Sequence, residues 1–175
     1  MLGILWGAVE VFGETMLLTG SFGRVVDEKQ RVAIPKRLRE AMGVPEGGAM
    51  YLAPGTDESL SLYTEEGFAR LAARLEQVSP NRKDVRAFVR LFYARAQRVE
   101  LDSQGRVRIP QELAALAQLE KEVVLLAVQD HLELWSAEIW QRYLDEKQDH
   151  YDEFAETAFG GAAPVDEPTP VSKPR

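Results

Sequence analysis

Asp27 and Arg31 stand four residues apart, and the same pair returns at Asp102 and Arg106. A carboxylate and a guanidinium at that spacing, across a short turn, can do one of two things. They can close a local ion pair that fixes the turn, worth only ~0–1 kcal/mol at an exposed surface. Alternatively, the aspartate can hold the arginine fork toward a phosphate oxygen or a base edge. The neighbours differ between the two copies. Residues 27–40 carry Lys29, Arg31, Lys36, Arg37 and Arg39 against Asp27, Glu28 and Glu40, a net +2, whereas residues 102–115 balance to zero. The first copy is therefore the expected DNA contact, through Lys29, Arg31, Lys36, Arg37 and Arg39. Asp27, Asp102 and Arg106 are expected to orient the motif or hold structure.

Other chemistry finds little support. Cysteine is absent, which excludes disulfides, thiolate metal sites and cysteine nucleophiles. The two histidines, His131 and His150, do not have the spacing of a zinc pair. The acids Asp145, Glu146, Asp149, Asp152, Glu153 and Glu156 lack the glycine-punctuated frame of a calcium loop and read as a solvated helix face. There is no phosphate-binding glycine loop, nucleophile elbow, paired-histidine zinc helix or dinucleotide fingerprint. Neither an enzymatic activity nor a metal or cofactor is expected.

A net charge of −7 taken alone argues against a nucleic-acid partner, but the charge is unevenly placed. Residues 20–40 carry +3 and residues 70–108 carry +6, set in an otherwise acidic chain. Cations gathered on one surface bind phosphate whatever the total. Fifteen of the 21 are arginine, the better bidentate partner. The arginines between residues 70 and 98 fall on several helix faces, so solvated positions and interface ion pairs compete with DNA there.

The Asp–Arg pairs belong to a larger repeat. Asp27, Arg31, Val32, Ile34, Pro35 and Leu38 recur 75 positions on, at Asp102, Arg106, Val107, Ile109, Pro110 and Leu113. At an offset of 72, Leu60, Leu62, Tyr63 and Thr64 are answered by Leu132, Leu134, Trp135 and Ser136. Each copy of about 45 residues reads as strand, polar turn, short strand, helix opening at Pro35 or Pro110, then a hairpin. Phe68, Leu71, Ala72 and Leu75, then Val85, Phe88, Val89 and Phe92, mark two amphipathic helices between the copies. One long helix follows the second. A unit this small cannot bury a sufficient core alone, so the copies are expected to pair as one pseudo-symmetric β-barrel within an α+β fold.

The expected organisation is a first unit over residues 20–68, a helical linker over 69–95 and a second unit over 96–140. A continuation of the C-terminal helix covers 141–159. Residues 160–175 are rich in proline and glycine and read as a disordered tail. Residues 1–15 are apolar but too short to span a bilayer, and are expected to lie upstream of the true start at Met16. Nothing else calls for a membrane.

With both D-x-x-x-R motifs, their spacing and the LYTEE and LWSAE joints in view, the chain from Met16 to about Phe159 resembles the MraZ family, built of tandem AbrB-like swapped-hairpin units. The resemblance implies a cytoplasmic, nucleoid-associated regulator that binds promoter direct repeats as a ring-like homo-oligomer, an octamer in the family pattern. It also implies repression of the protein's own division and cell-wall gene cluster. Two other readings stand beside it: an antitoxin-like AbrB relative, and a purely structural ring-former whose basic blocks pair with neighbouring subunits. Gln30 departs from the family pattern, standing where glycine would serve the turn.

Overall fold

The computed structural model describes residues 17–160, so the expectations for residues 1–15 and for the tail beyond Gly160 lie outside the described residues. Residues 17–140 form one compact body and residues 141–160 a second. In the first body β1 (Leu18–Val25), β2 (Arg31–Ala33) and α1 (Lys36–Ala41) are followed by the hairpin of β3 (Ala49–Pro54) and β4 (Leu60–Thr64). Helices α2 (Glu65–Glu76) and α3 (Lys83–Arg95) come next. The series then repeats as β5 (Gln97–Glu100), β6 (Arg106–Arg108), α4 (Gln111–Leu116), β7 (Glu122–Gln129) and β8 (His131–Ser136).

Local chemistry accounts for most of these boundaries. Pro35 and Pro110 immediately precede α1 and α4, which start at Lys36 and Gln111, with proline ψ of 136° and 139°. Proline lacks an N–H, so it costs the helix start no hydrogen bond, and its carbonyl is still free to accept. Pro35 O accepts from both Leu38 N and Arg39 N. Thr64 caps α2 through a 2.9 Å bond from Gly67 N to its hydroxyl. The β7–β8 hairpin turns on Gln129 and Asp130, with Gln129 at φ 58°.

The pairing of strands joins the two copies. The six-stranded antiparallel sheet runs β1-β7-β8-β4-β3-β5. The first strand of each copy therefore pairs with the third strand of the other: β1 with β7, and β5 with β3. In a separate ribbon β2 pairs with β6, setting Val32 opposite Val107. The sheet is open, with β1 and β5 at its edges, where the repeat leads one to expect a closed barrel. After β1 and β5 the Asp27 and Asp102 turns carry the chain into the ribbon, and β5, only four residues long, offers no ladder to complete a closure.

The repeated apolar residues meet in one core. Val32, Ile34 and Leu38, with Val107, Ile109 and Leu113, are all buried and pack with Met50, Leu52, Leu60, Leu125, Leu132 and Leu134. Beside it Phe68 of α2 stacks on Tyr51 of β3 at 4.3 Å and on Phe92 of α3 at 5.9 Å. The final helix is not continuous. α5 (Ala137–Lys147) gives way to a 3-10 turn at Gln148–His150 before α6 (Tyr151–Gly160). Asp and His are weak helix formers in mid-helix positions, which favours a break there.

Leu113→Ala should cost ~2–5 kcal/mol in chemical denaturation, because the side chain is fully enclosed. Leu116→Ala on the exposed side of the same helix should cost no more than ~0.5 kcal/mol.

Candidate nucleic-acid interface

Each Asp–Arg motif first organises its own turn. Asp27 Oδ1 accepts from Lys29 N and Arg31 N, both at 2.9 Å, while Gln30 N bonds to Asp27 O. Asp102 repeats this with Gln104 N at 2.9 Å, Arg106 N at 3.0 Å and Gly105 N. An aspartate holding amides two and four residues on fixes a tight turn without help from the sheet. Both turns need a left-handed residue, which is Gly105 at φ 72° and Gln30 at φ 59°. Gln30 thus takes the conformation its glycine counterpart takes.

The two turns then meet. Arg31 Nε and Nη2 lie 2.8 Å from Asp27 Oδ2, and Arg31 Nη1 reaches Asp102 Oδ2 at 3.4 Å. Arg106 Nε lies 2.8 Å from Asp102 Oδ2, and its Nη1 is 3.7 Å from Asp27 Oδ2. Each arginine serves its own aspartate and leans toward the other. The Arg31 guanidinium holds the Asp27 carboxyl below its ordinary value of 3.8. The Arg106 amide, followed by its side chain, does so for Asp102. The sequence assigns Arg31 to DNA and Arg106 to structure, yet their side chains are 24% and 25% exposed and each is held by the aspartate of its own turn. Geometry alone does not distinguish them.

The distinction lies in what surrounds them. Lys29 is exposed on the first turn, and Lys36 and Arg37 are exposed on the first turn of α1. Among the described residues Lys36 pairs with Glu40 at 3.6 Å, with both side chains largely in water. Arg37 lies 4.6 Å from the Phe22 ring centroid, with Arg24 at 5.9 Å, so the aromatic face supports this cationic patch. Nothing in the repeat pattern singles out Phe22 or Arg24. Arg39 differs from its neighbours: it turns inward and donates from Nε to Ile34 O at 3.2 Å.

At the matching positions of the second copy stand Gln104, Gln111, Glu112 and Ala114. That face carries no equivalent patch. It opens instead into a groove of about 990 Å³ lined by Gln30, Pro110, Ala114 and Leu119, with Arg98 and Arg108 at its sides. Arg108, opposite Arg31 in the ribbon, is an exposed cation the motif does not mark. The arginines between the copies are largely paired, Arg70 with Glu66, Arg82 with Asp84 and Arg98 with Glu65 and Glu100. Among the described residues no cluster of acids and histidines is placed to hold a metal ion, and no helix is long and apolar enough to cross a membrane.

Comparison with known proteins gives one consistent result. A family model described as "MraZ protein, putative antitoxin-like" matches residues 92–161. A protein of Lactiplantibacillus plantarum named "Transcriptional regulator MraZ" is 42% identical over 137 residues, covering 78% of this chain and 94% of the relative. A protein of the same name from Moorella thermoacetica is 37% identical over 140 residues, covering 80% and 95%. A third, from Alkaliphilus oremlandii, is 39% identical over 139 residues, covering 79% and 94%.

The acid limb of stability follows from the paired turns. Because Asp27 and Asp102 have depressed folded-state values, their contribution is fully present above about 4 and is lost as the pH falls through the folded values. His131 acts on the other limb. Burial opposes its charge, but Glu133 and Asp130 raise it overall above its ordinary 6.5. Its contribution is therefore complete below about 6.5 and is lost as the pH rises through the folded value. Thermal melts across pH should show a plateau between these limits. Asp27→Asn with Asp102→Asn should flatten the acid limb, and His131→Gln the alkaline one.

Proposed function

The chain belongs to the MraZ family, and from that membership, together with the basic face of its first copy, we propose that it is a sequence-specific DNA-binding transcriptional regulator. Lys29, Lys36 and Arg37 contact phosphates, with Arg31 between them at the turn. In this reading the exchange of strands between copies is the swapped-hairpin, AbrB-like arrangement, and the protein represses its own division and cell-wall gene cluster from the cytoplasm and nucleoid. The observation that carries the proposal is an asymmetry. Two copies matched in fold, turn and ion pairing differ at Lys29/Gln104, Lys36/Gln111 and Arg37/Glu112, all outward positions where packing demands no particular charge.

A single face of this size offers few phosphate contacts, so one subunit binds weakly. Self-association into a ring answers that need. Phe88 and Leu91 on α3 are 50% and 56% exposed, and Tyr151 and Phe159 on α6 are 72% and 80% exposed, more apolar surface than an isolated chain usually leaves in water. Several copies of the face on consecutive direct repeats gain ~10²–10⁴ through effective concentration.

Binding to the DNA upstream of its own gene, followed by anisotropy across a salt series, tests the reading. Lys36→Ala and Arg37→Ala should each weaken binding and lower the slope of log affinity against log salt by ~0.9 for each phosphate no longer neutralised. Arg31→Ala and Arg106→Ala should lower the melting temperature alike, since each removes half of one cluster. Only Arg31→Ala should abolish binding. Unchanged binding by Lys36→Ala, Arg37→Ala and Arg31→Ala would show that the first face is not the DNA surface.

A further inference from the structure

Arg39 is the cation of the first face whose place in the fold differs most from its position in the sequence. Its matched residue in the second copy is Ala114, and the residue matched to Gln30 is Gly105. These two differences meet in space. A Cβ added at Gly105 would fall on the Arg39 guanidinium, within contact distance of its Nε and Nη2, so the missing side chain leaves the room that Arg39 occupies. Ile34, which begins the link to α1, gives its N–H to Gly105 O at 2.9 Å and its carbonyl to Arg39 Nε at 3.2 Å. Arg39 thereby ties α1 to Ile34 of its own copy and packs over the turn of the opposite copy, to which Ile34 is itself bonded. On the other side Ile109 N still bonds to Gln30 O at 2.7 Å, but Ala114 supplies no donor and the groove lies open.

We propose that Arg39 is a positioning residue. By lying over Gly105 it fixes the start of α1, and with it Lys36 and Arg37, in the geometry that meets phosphates, and it makes no phosphate contact itself. This rests on the DNA-binding reading above and adds to it a device joining the two copies. The left-handed turn at Gly105 is part of that device, since any side chain there competes with the guanidinium for the same space.

The test uses the full-length protein and a fluorescein-labelled duplex of the region upstream of its own gene, across a salt series. Gly105→Asn keeps the left-handed turn accessible, because asparagine tolerates that conformation, while displacing Arg39. Arg39→Ala, Arg39→Lys and Gly105→Asn should each weaken binding about tenfold, with the salt slope unchanged from wild type. Arg39→Ala combined with Gly105→Asn should be no weaker than Arg39→Ala alone, because both remove one coupled interaction. Wild-type affinity for Arg39→Lys would overturn the proposal, as would a slope lowered by ~0.9 for Arg39→Ala, since either marks a phosphate contact. Should Gly105→Asn fail to fold, the Arg39→Lys affinity and the Arg39→Ala slope still decide. A wild-type protein that does not bind the duplex defeats the DNA reading instead. The packing of Arg39 over Gly105 is then judged by melting temperatures, where additive effects of Arg39→Ala and Gly105→Asn would overturn it.

Discussion

Two carboxylates and two guanidiniums, one of each from either copy, set the geometry on which the rest of this fold depends. Asp27 and Asp102 each commit one oxygen to backbone amides of their own turn and the other to arginine. That division of labour makes the turn rigid before the arginine is placed. Arg31 and Arg106 then stand close enough to serve the opposite carboxylate, so that the two turns are held face to face. Exposed pairs of this kind add little stability individually. Their value here is positional: the ribbon of β2 and β6 directly follows the turns, and Val32 and Val107 enter the core from it.

On this near-symmetric frame the outward residues have diverged. Packing constrains Val32, Ile34 and Leu38 as it does Val107, Ile109 and Leu113, because all six face one core. It places no such demand on Lys29, Lys36 and Arg37, or on Gln104, Gln111 and Glu112. One face is basic while the other carries a groove and no comparable charge. Phosphate binding has a physical use for that difference, and folding has none. The exchange Arg39/Gly105 against Ala114/Gln30 extends the divergence inward, since a side chain at Gly105 would fall on the Arg39 guanidinium.

The repeat was legible because both copies obey the same local rules: an aspartate to build the turn, a proline to open the helix, apolar residues at fixed spacing. The two linker helices could be read in the same way, from apolar side chains recurring within a few residues. What could not be read depends on partners distant in sequence. β1 reaches back to Leu18, because β7 supplies ladder partners that far despite the glycines at 20 and 23. The open sheet likewise reflects which edges find partners. The inward turn of Arg39 is set by a gap at Gly105, 66 positions away, and the charge pattern alone grouped it with Lys36 and Arg37.

The central claim is that a structure built from two matched copies meets DNA through one of them. Hydrogen–deuterium exchange of the free protein and of its complex with the upstream duplex tests this without altering any residue. Protection on DNA addition should gather in peptides covering Lys29–Arg39 and be absent from those covering Gln104–Ala114. Equal protection of the two segments, or protection confined to the second, would contradict it.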